Sequence, residues 1–194
     1  MGRTSDARER VIQSGMELLR DGGYAMAGVQ EICARAGVRK GSFYHFFATK
    51  SQLGVAVVER FHSDTNALLD QALAADLPPA ARIERLFDMA AALQENFLEE
   101  QGAVKGCPFG NLALEMSTRD ENLRVALALV LRATITRLAA AIRTDDHAEP
   151  SGQIHQQAES ILALLEGAIL LAKAENDPAI IRRMAGCAKR LISG

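Results

Sequence analysis

The chain reads as an all-α protein of about nine helices, with a three-helix N-terminal unit ahead of a larger helical body. Three observations predict this. Apolar residues recur at three- and four-residue spacing, as in Ile12, Met16 and Leu19, then Val29, Ile32, Cys33 and Ala36. No stretch keeps the two-residue alternation of a strand for long. Glycines, prolines and short polar clusters punctuate the sequence at intervals that helices fill.

Taken in order, the first helix spans about Ser5 to Asp21 and stops at Gly22-Gly23. The second covers about Gly28 to Ala36, with Gly37 placed to take the left-handed conformation that ends a helix. A short third helix follows, about Arg39 to Tyr44. Thr49-Lys-Ser-Gln52 fits a capping box, so a long fourth helix starts at Lys50 and ends before Leu77-Pro78-Pro79. The fifth covers about Ala80 to Glu100, and Pro108 opens the sixth. Thr118-Arg-Asp precedes a seventh from about Glu121 to Arg143, and the polar segment Thr144–Gly152 is a loop. The eighth runs from about Gln153 to Asn176, and Asp177-Pro178 starts a ninth that reaches Ile192.

Composition bounds the function. With 194 residues, 48% hydrophobic and 24% charged, the chain is long enough for a proper core and outside the disordered range. Its longest apolar run, Ile161 to Ala172, is interrupted by Glu166 and falls short of the roughly 18 residues of a membrane span. MGRTSDARER has no apolar centre, so it does not read as a secretory signal. Three well-separated cysteines (Cys33, Cys107, Cys187) give neither a disulfide framework nor zinc-ligand spacing. The four histidines (His45, His62, His147, His155) show no ligand spacing either. The expectation is a cytoplasmic protein with no metal, no cofactor and no membrane partner.

Charge is unevenly spread. Residues 1–50 hold eight Lys/Arg against five acids, a surplus of three, so with the chain at −2 the other 144 residues carry −5. A polyanion partner would therefore meet the first fifty residues. There, two short helices joined by a tight Gly37-Val38 turn outline a helix-turn-helix, whose second helix lies in the DNA major groove. That helix carries RKGSFYHFF, residues 39–47. Arg39 and Lys40 suit base edges or phosphates, and Gly41 allows close backbone approach. Ser42, Tyr44 and His45 donate to phosphate oxygens, and Lys50 sits on the first turn of the fourth helix, whose N–H groups also attract phosphate. Phe43 and Phe46 read as the small core beneath.

The run Gly23 to Leu53 resembles the DNA-binding head of the TetR family of bacterial repressors. The resemblance is carried by Ala36-Gly37-Val38, Gly41, Tyr44, Phe47, Lys50 and Leu53. One departure is Ala27, where the family usually has a threonine capping the second helix. The resemblance implies a homodimeric repressor reading a palindromic operator. Residues 1–49 would bind DNA, and residues 50–194 would bind ligand and dimerise through helices 8 and 9. Helix 8 is apolar nearly all round, and helix 9 offers Ile180, Ile181, Met184 and Leu191.

In the body, KGCPFGNLALE (105–115) places Cys107 at the N-cap of the sixth helix, beside Lys105. The positive end of a helix and a nearby lysine both favour a reactive thiolate. Gly106, Cys107, Leu112 and Glu115 also resemble a TetR branch that contains repressors of electrophile- and aldehyde-detoxifying reductases, some of which sense reactive compounds through cysteine. Glu159, Glu166 and Lys173 share one stripe of helix 8; they either face solvent or put Glu166 and Lys173 against a ligand or the thiol. Phe61, Met89, Leu93, Phe97, Phe109, Met116 and Leu127 are candidates to line an apolar ligand pocket or to be plain core. The leading expectation is thus a non-enzymatic repressor released by a small molecule or electrophile. A repressor with a reversibly bound lipophilic ligand, a helical enzyme using Cys107 as nucleophile, and a DNA-packaging protein are the alternatives.

Overall fold

The computed structural model describes residues 2–20, 23–143 and 152–192. Among these, nine helices are present and no strand: α1 (Gly2–Arg20), α2 (Val29–Ala36), α3 (Lys40–Phe46), α4 (Lys50–Ala72), α5 (Pro79–Gln101), α6 (Pro108–Met116), α7 (Glu121–Ile142), α8 (Gly152–Glu175) and α9 (Ala179–Arg190). Gly22 of the predicted Gly22-Gly23 stop and residues 144–151 of the predicted loop lie outside the described residues, and Gly152, placed in that loop by the sequence, is the first residue of α8.

The punctuation acts as the sequence suggests. Gly37 adopts φ 62°, and its N–H and that of Val38 close onto Ala34 and Cys33 carbonyls, ending α2. Thr49 Oγ1 accepts from Gln52 N at 3.1 Å, while Gln52 Oε1 accepts from Ala48 N at 2.8 Å, a capping box displaced by one residue on its return arm. Asp177 Oδ1 accepts from Ala179 N at 3.0 Å and caps α9. At the N-cap of α2 stands Gly28, with no side-chain cap, the consequence expected of Ala27.

The chain divides into two compact units. The first comprises Met1–Asp64 and Pro108–Leu129. Here α1, α2 and α3 pack on one another, and α6 packs on α1. Val11, Met16, Ile32, Phe43, Leu53, Val57 and Leu123 are buried in it. Phe43 and Phe47 form the aromatic core under α3, ring centroids 5.9 Å apart; Phe46 is only half-buried, so the core partner of Phe43 is one turn further along, not three residues away. Gly54 is needed at its position, because a Cβ there would lie 2.7 Å from the Tyr24 hydroxyl and 2.8 Å from Leu123.

Thr65–Cys107 and Val130–Gly194 make up the second unit. In it α9 packs on α5 and α8 over Ile83, Phe87, Ala91, Leu138, Ile161, Leu165, Ala172 and Ile181. Ile180 and Ile181 are buried within this core, so the apolar side of α9 is used inside its own chain. Arg85 closes the α4–α5 connection by donating to the Ala72 and Ala74 carbonyls and to Asp76. The helix α7 is long and apolar enough to span a membrane by length and composition; its Leu123, Leu127, Leu138 and Ala139 are instead buried in protein cores.

Candidate nucleic-acid interface and thiol site

On α3, burial and aromatic packing sort the side chains into two faces. Phe43 and Phe47 point into the core, and Arg39, Lys40, Gly41, Tyr44 and His45 are exposed, with Ser42 half-buried. This puts a guanidinium, an ammonium, a phenol and an imidazole on one outward surface. The Lys40 ammonium lies 5.9 Å from the centre of the Tyr44 ring, close enough for the ring to hold it. Nothing stands within 4 Å of where a Gly41 Cβ would be, so the fold does not require glycine there. Its bareness leaves the helix surface open to close approach.

Lys50 is placed differently from its neighbours. Its ammonium donates to the carbonyls of Tyr24 and of Ala25 (3.1 Å) and lies 4.6 Å from the Tyr24 ring centre. Burial lowers its pKa, with Glu115 and Glu31 opposing the shift. Tyr24 is itself 1% exposed, and its hydroxyl donates to the Lys50 carbonyl at 2.5 Å. Burial pushes that phenol's pKa well above its ordinary value. Glu115 of α6 completes the cluster: its Oε1 accepts from Ala25 N at 2.8 Å. Nearby, Asp120 Oδ1 caps α7 through Leu123 N and also accepts from Ser51 Oγ at 3.0 Å. The turn that feeds α2 is thus pinned by a lysine from α4 and a carboxylate from α6.

In the second unit, Cys107 ends a tightly held loop. Gln94, buried on α5, accepts from Lys105 N (3.1 Å) and Gly106 N (3.0 Å) through Oε1 and donates Nε2–H to the Gly106 carbonyl (3.3 Å). Asn176, at φ 54°, accepts from Val104 N at 2.9 Å. Gly106 has φ 81°, which favours glycine at the residue before the thiol. The half-buried Cys107 is hydrogen-bonded with the carboxyl of Glu166 on α8. Burial raises the Glu166 pKa and the contact with Cys107 partly offsets this. Of the α8 stripe, Glu159 and Lys173 are exposed and Glu166 turns to the thiol. Burial raises the Cys33 thiol pKa, with Lys40 pulling the other way, and Cys187 Sγ accepts from Arg190 at 3.0 Å.

The apolar candidates fall in two places. Phe61 and Phe109 are buried in the first unit with rings edge-to-face, centroids 6.4 Å apart; Arg20 lies 4.9 Å from the Phe61 ring. Met89, Leu93 and Phe97 line up at four-residue spacing on α5 in the second unit; Leu93 is 37% exposed and the other two are half-buried. Tyr24, Gln94 and Asn176, which hold the turn ahead of α2 and the loop ahead of Cys107, are positions that sequence reasoning missed. Gln94 carried a signal, being a polar residue in the apolar register of Phe87 and Ala91; Tyr24 carried one in being the large aromatic between Gly23 and α2. Among the described residues no three of His, Cys, Asp and Glu gather as metal ligands.

A helix-turn-helix with an exposed basic and aromatic second helix, followed by a helical body, defines a DNA-binding transcriptional regulator. Residues 11–57 match the family model of bacterial regulatory proteins of the tetR family, and residues 79–187 match the C-terminal domain of LmrA/YxaF-like transcriptional regulators. Among curated relatives, the chain is 38% identical to the transcriptional regulator AcuR of Cereibacter sphaeroides, over 89% of this chain and 78% of that one. It is 30% identical to the transcriptional repressor NemR of Escherichia coli, over 87% and 84%. Solved structures agree: a TetR regulatory protein from Rhodobacter sphaeroides superposes with a TM-score of 0.79 at 34% identity, covering 95% of this chain and 98% of that one. E. coli NemR in its reduced form gives 0.80 at 28%, covering 95% and 97%. The chain belongs to the TetR family of transcriptional regulators.

Proposed function

We propose that this regulator is a homodimeric repressor that holds a palindromic operator and is released when Cys107 is modified. The observation that carries the DNA half is the exposed row Arg39, Lys40, Gly41, Tyr44 and His45, with Ser42 beside it, on the second helix of the helix-turn-helix. Arg39 and Lys40 reach base edges or phosphates, while Ser42, Tyr44 and His45 hold phosphates. Lys50 acts on DNA through the turn it clamps. Residues 1–49 are the DNA-binding part, and residues 50–194 the sensing and dimerising part.

Two copies join through α8 and α9, with the exposed Leu170 and Leu171 (55% and 52%) as the apolar centre of the contact. Cys107, held by the Gln94 loop against Glu166, is the residue that meets an electrophile. A solved structure of E. coli NemR is of its reduced form, which supports a redox-sensitive reading of this chain. Met89, Leu93 and Phe97 supply apolar surface for the incoming molecule, with Phe61 and Phe109 as internal packing. Cys107 reacts once, as a switch, and the protein turns over no substrate. It works in the cytoplasm, where thiols stay reduced until challenged.

The test is a gel shift and footprint on DNA flanking its own gene, at two salt concentrations. Two protected half-sites about one helical turn apart are expected. Weak, sequence-blind binding overturns the repressor reading.

A further inference from the structure

We infer that Cys107 and Glu166 form a proton-sharing pair, in which the Glu166 carboxylate takes the thiol proton as Cys107 attacks a soft carbon electrophile. This rests on the reading of Cys107 as the residue that is modified, and it assigns a role to Glu166 that a ligand-orienting or solvent-facing carboxylate would not have.

The geometry is that of a nucleophile with its base. The thiol ends a loop fixed on both sides, by Gln94 through three hydrogen bonds and by Asn176 through Val104 N. Glu166 projects from α8 into hydrogen-bond contact with that thiol, in an otherwise apolar stretch of helix from Ile161 to Ala172. Burial and the Cys107 thiol are the two influences acting on the carboxyl; the charged neighbours on its own stripe, Glu159 and Lys173, are exposed.

Two negative charges in contact in a half-buried site exclude each other, so the pair keeps one proton and one charge. A thiolate therefore forms only when the proton resides on Glu166. Burial makes this easier, because it raises the carboxyl's pKa towards that of a thiol, and proton transfer is most effective between matched groups. The step balances without a redox partner. With a haloacetamide, the Sγ–carbon bond forms, the carbon–halogen bond breaks, halide leaves with its electron pair, and the proton moves to the Glu166 carboxylate. With a conjugated carbonyl, the carbon–carbon π bond breaks, and its electrons and the same proton end on the electrophile.

The experiment is iodoacetamide alkylation of the full-length protein, followed at Cys107 by peptide mass spectrometry from pH 5.5 to 9. Wild type, Glu166→Gln and Glu166→Asp are compared, each checked by circular dichroism and cooperative melting. Glu166→Gln keeps a hydrogen-bond acceptor and removes the base. Its rate at pH 6.5 is expected to fall about a hundredfold, the low end for positioned proton transfer. Its pH profile should follow ordinary thiol ionisation near pH ~8.5, whereas the wild-type profile flattens well below that. Glu166→Asp, which retains a carboxylate, should recover the wild-type profile shape at reduced rate.

Equal rates and profiles in wild type and Glu166→Gln overturn the pairing. Faster alkylation of Glu166→Gln also overturns it, since a carboxylate that merely repels a thiolate gives that result. Operator release by iodoacetamide that persists in Cys107→Ser sinks the thiol-switch reading instead, and the alkylation profiles still decide the pairing on their own.

Discussion

The backbone N–H of Ala25 donates to Glu115 Oε1 at 2.8 Å, across 90 residues of sequence. Ala25 lies in the turn that feeds α2, and Glu115 is the penultimate residue of α6. A carboxylate from the helix that follows Cys107 in the chain thus holds the approach to the helix-turn-helix. Glu115→Ala leaves that half-buried N–H without its charged acceptor, and it should cost about 2 kcal/mol of stability in the first unit. Operator affinity should fall with it. Urea denaturation and a gel shift check the two effects, and Glu115→Gln, which keeps an acceptor oxygen, should lose less of both.

Lys40 and Lys50 should behave oppositely although ten residues apart. Lys40 is exposed on α3, so Lys40→Ala should lower the salt slope of operator binding by about one and leave thermal stability nearly unchanged. Lys50 is bonded to the Tyr24 and Ala25 carbonyls, so Lys50→Met should lower stability by about 2 kcal/mol and leave the salt slope unchanged. Anisotropy titrations at several salt concentrations, beside melting curves, read both. A salt slope that drops with Lys50→Met would move Lys50 to the phosphates.

Gln94 satisfies two N–H groups and one carbonyl of the loop that presents Cys107. Gln94→Ala strands these groups in a buried place and should destabilise the second unit by at least about 2 kcal/mol. Heterogeneous alkylation kinetics at Cys107 should accompany the loss, because the loop would no longer hold one conformation.

Glu166 carries a pH signature. Its carboxyl pKa is raised in the folded protein, so the folded state holds a proton that the unfolded state has already released. Below the unfolded value near ~4.3 both forms are protonated and there is no penalty. As pH rises from there through the folded value, the wild type loses stability. Relative to wild type, Glu166→Gln should therefore gain stability over that window. Parallel urea midpoints from pH 4 to 7 would contradict the shift.

The helices and their ends were legible because they rest on local chemistry. Gly37, Thr49 with Gln52, Pro108 and Asp177 each act through backbone groups within a few residues, and periodicity exposes those signals directly. The outward row of α3 was legible for the same reason. Phe46 and Phe47 were not separable, since both lie within one turn of Phe43 and only packing chooses between them. That Glu166 neighbours Cys107 depends on how α8 lies against the loop ahead of α6, which no spacing within α8 encodes. Tyr24, Glu115 and Asn176 act across tens of residues, so their roles emerge only once the chain is folded.

The most direct measurement is operator anisotropy during titration with a thiol-alkylating electrophile, on wild type and Cys107→Ser. Wild type is expected to leave the operator in step with alkylation of Cys107, while Cys107→Ser stays bound at the same reagent concentration. Release of both proteins at equal concentrations would contradict it.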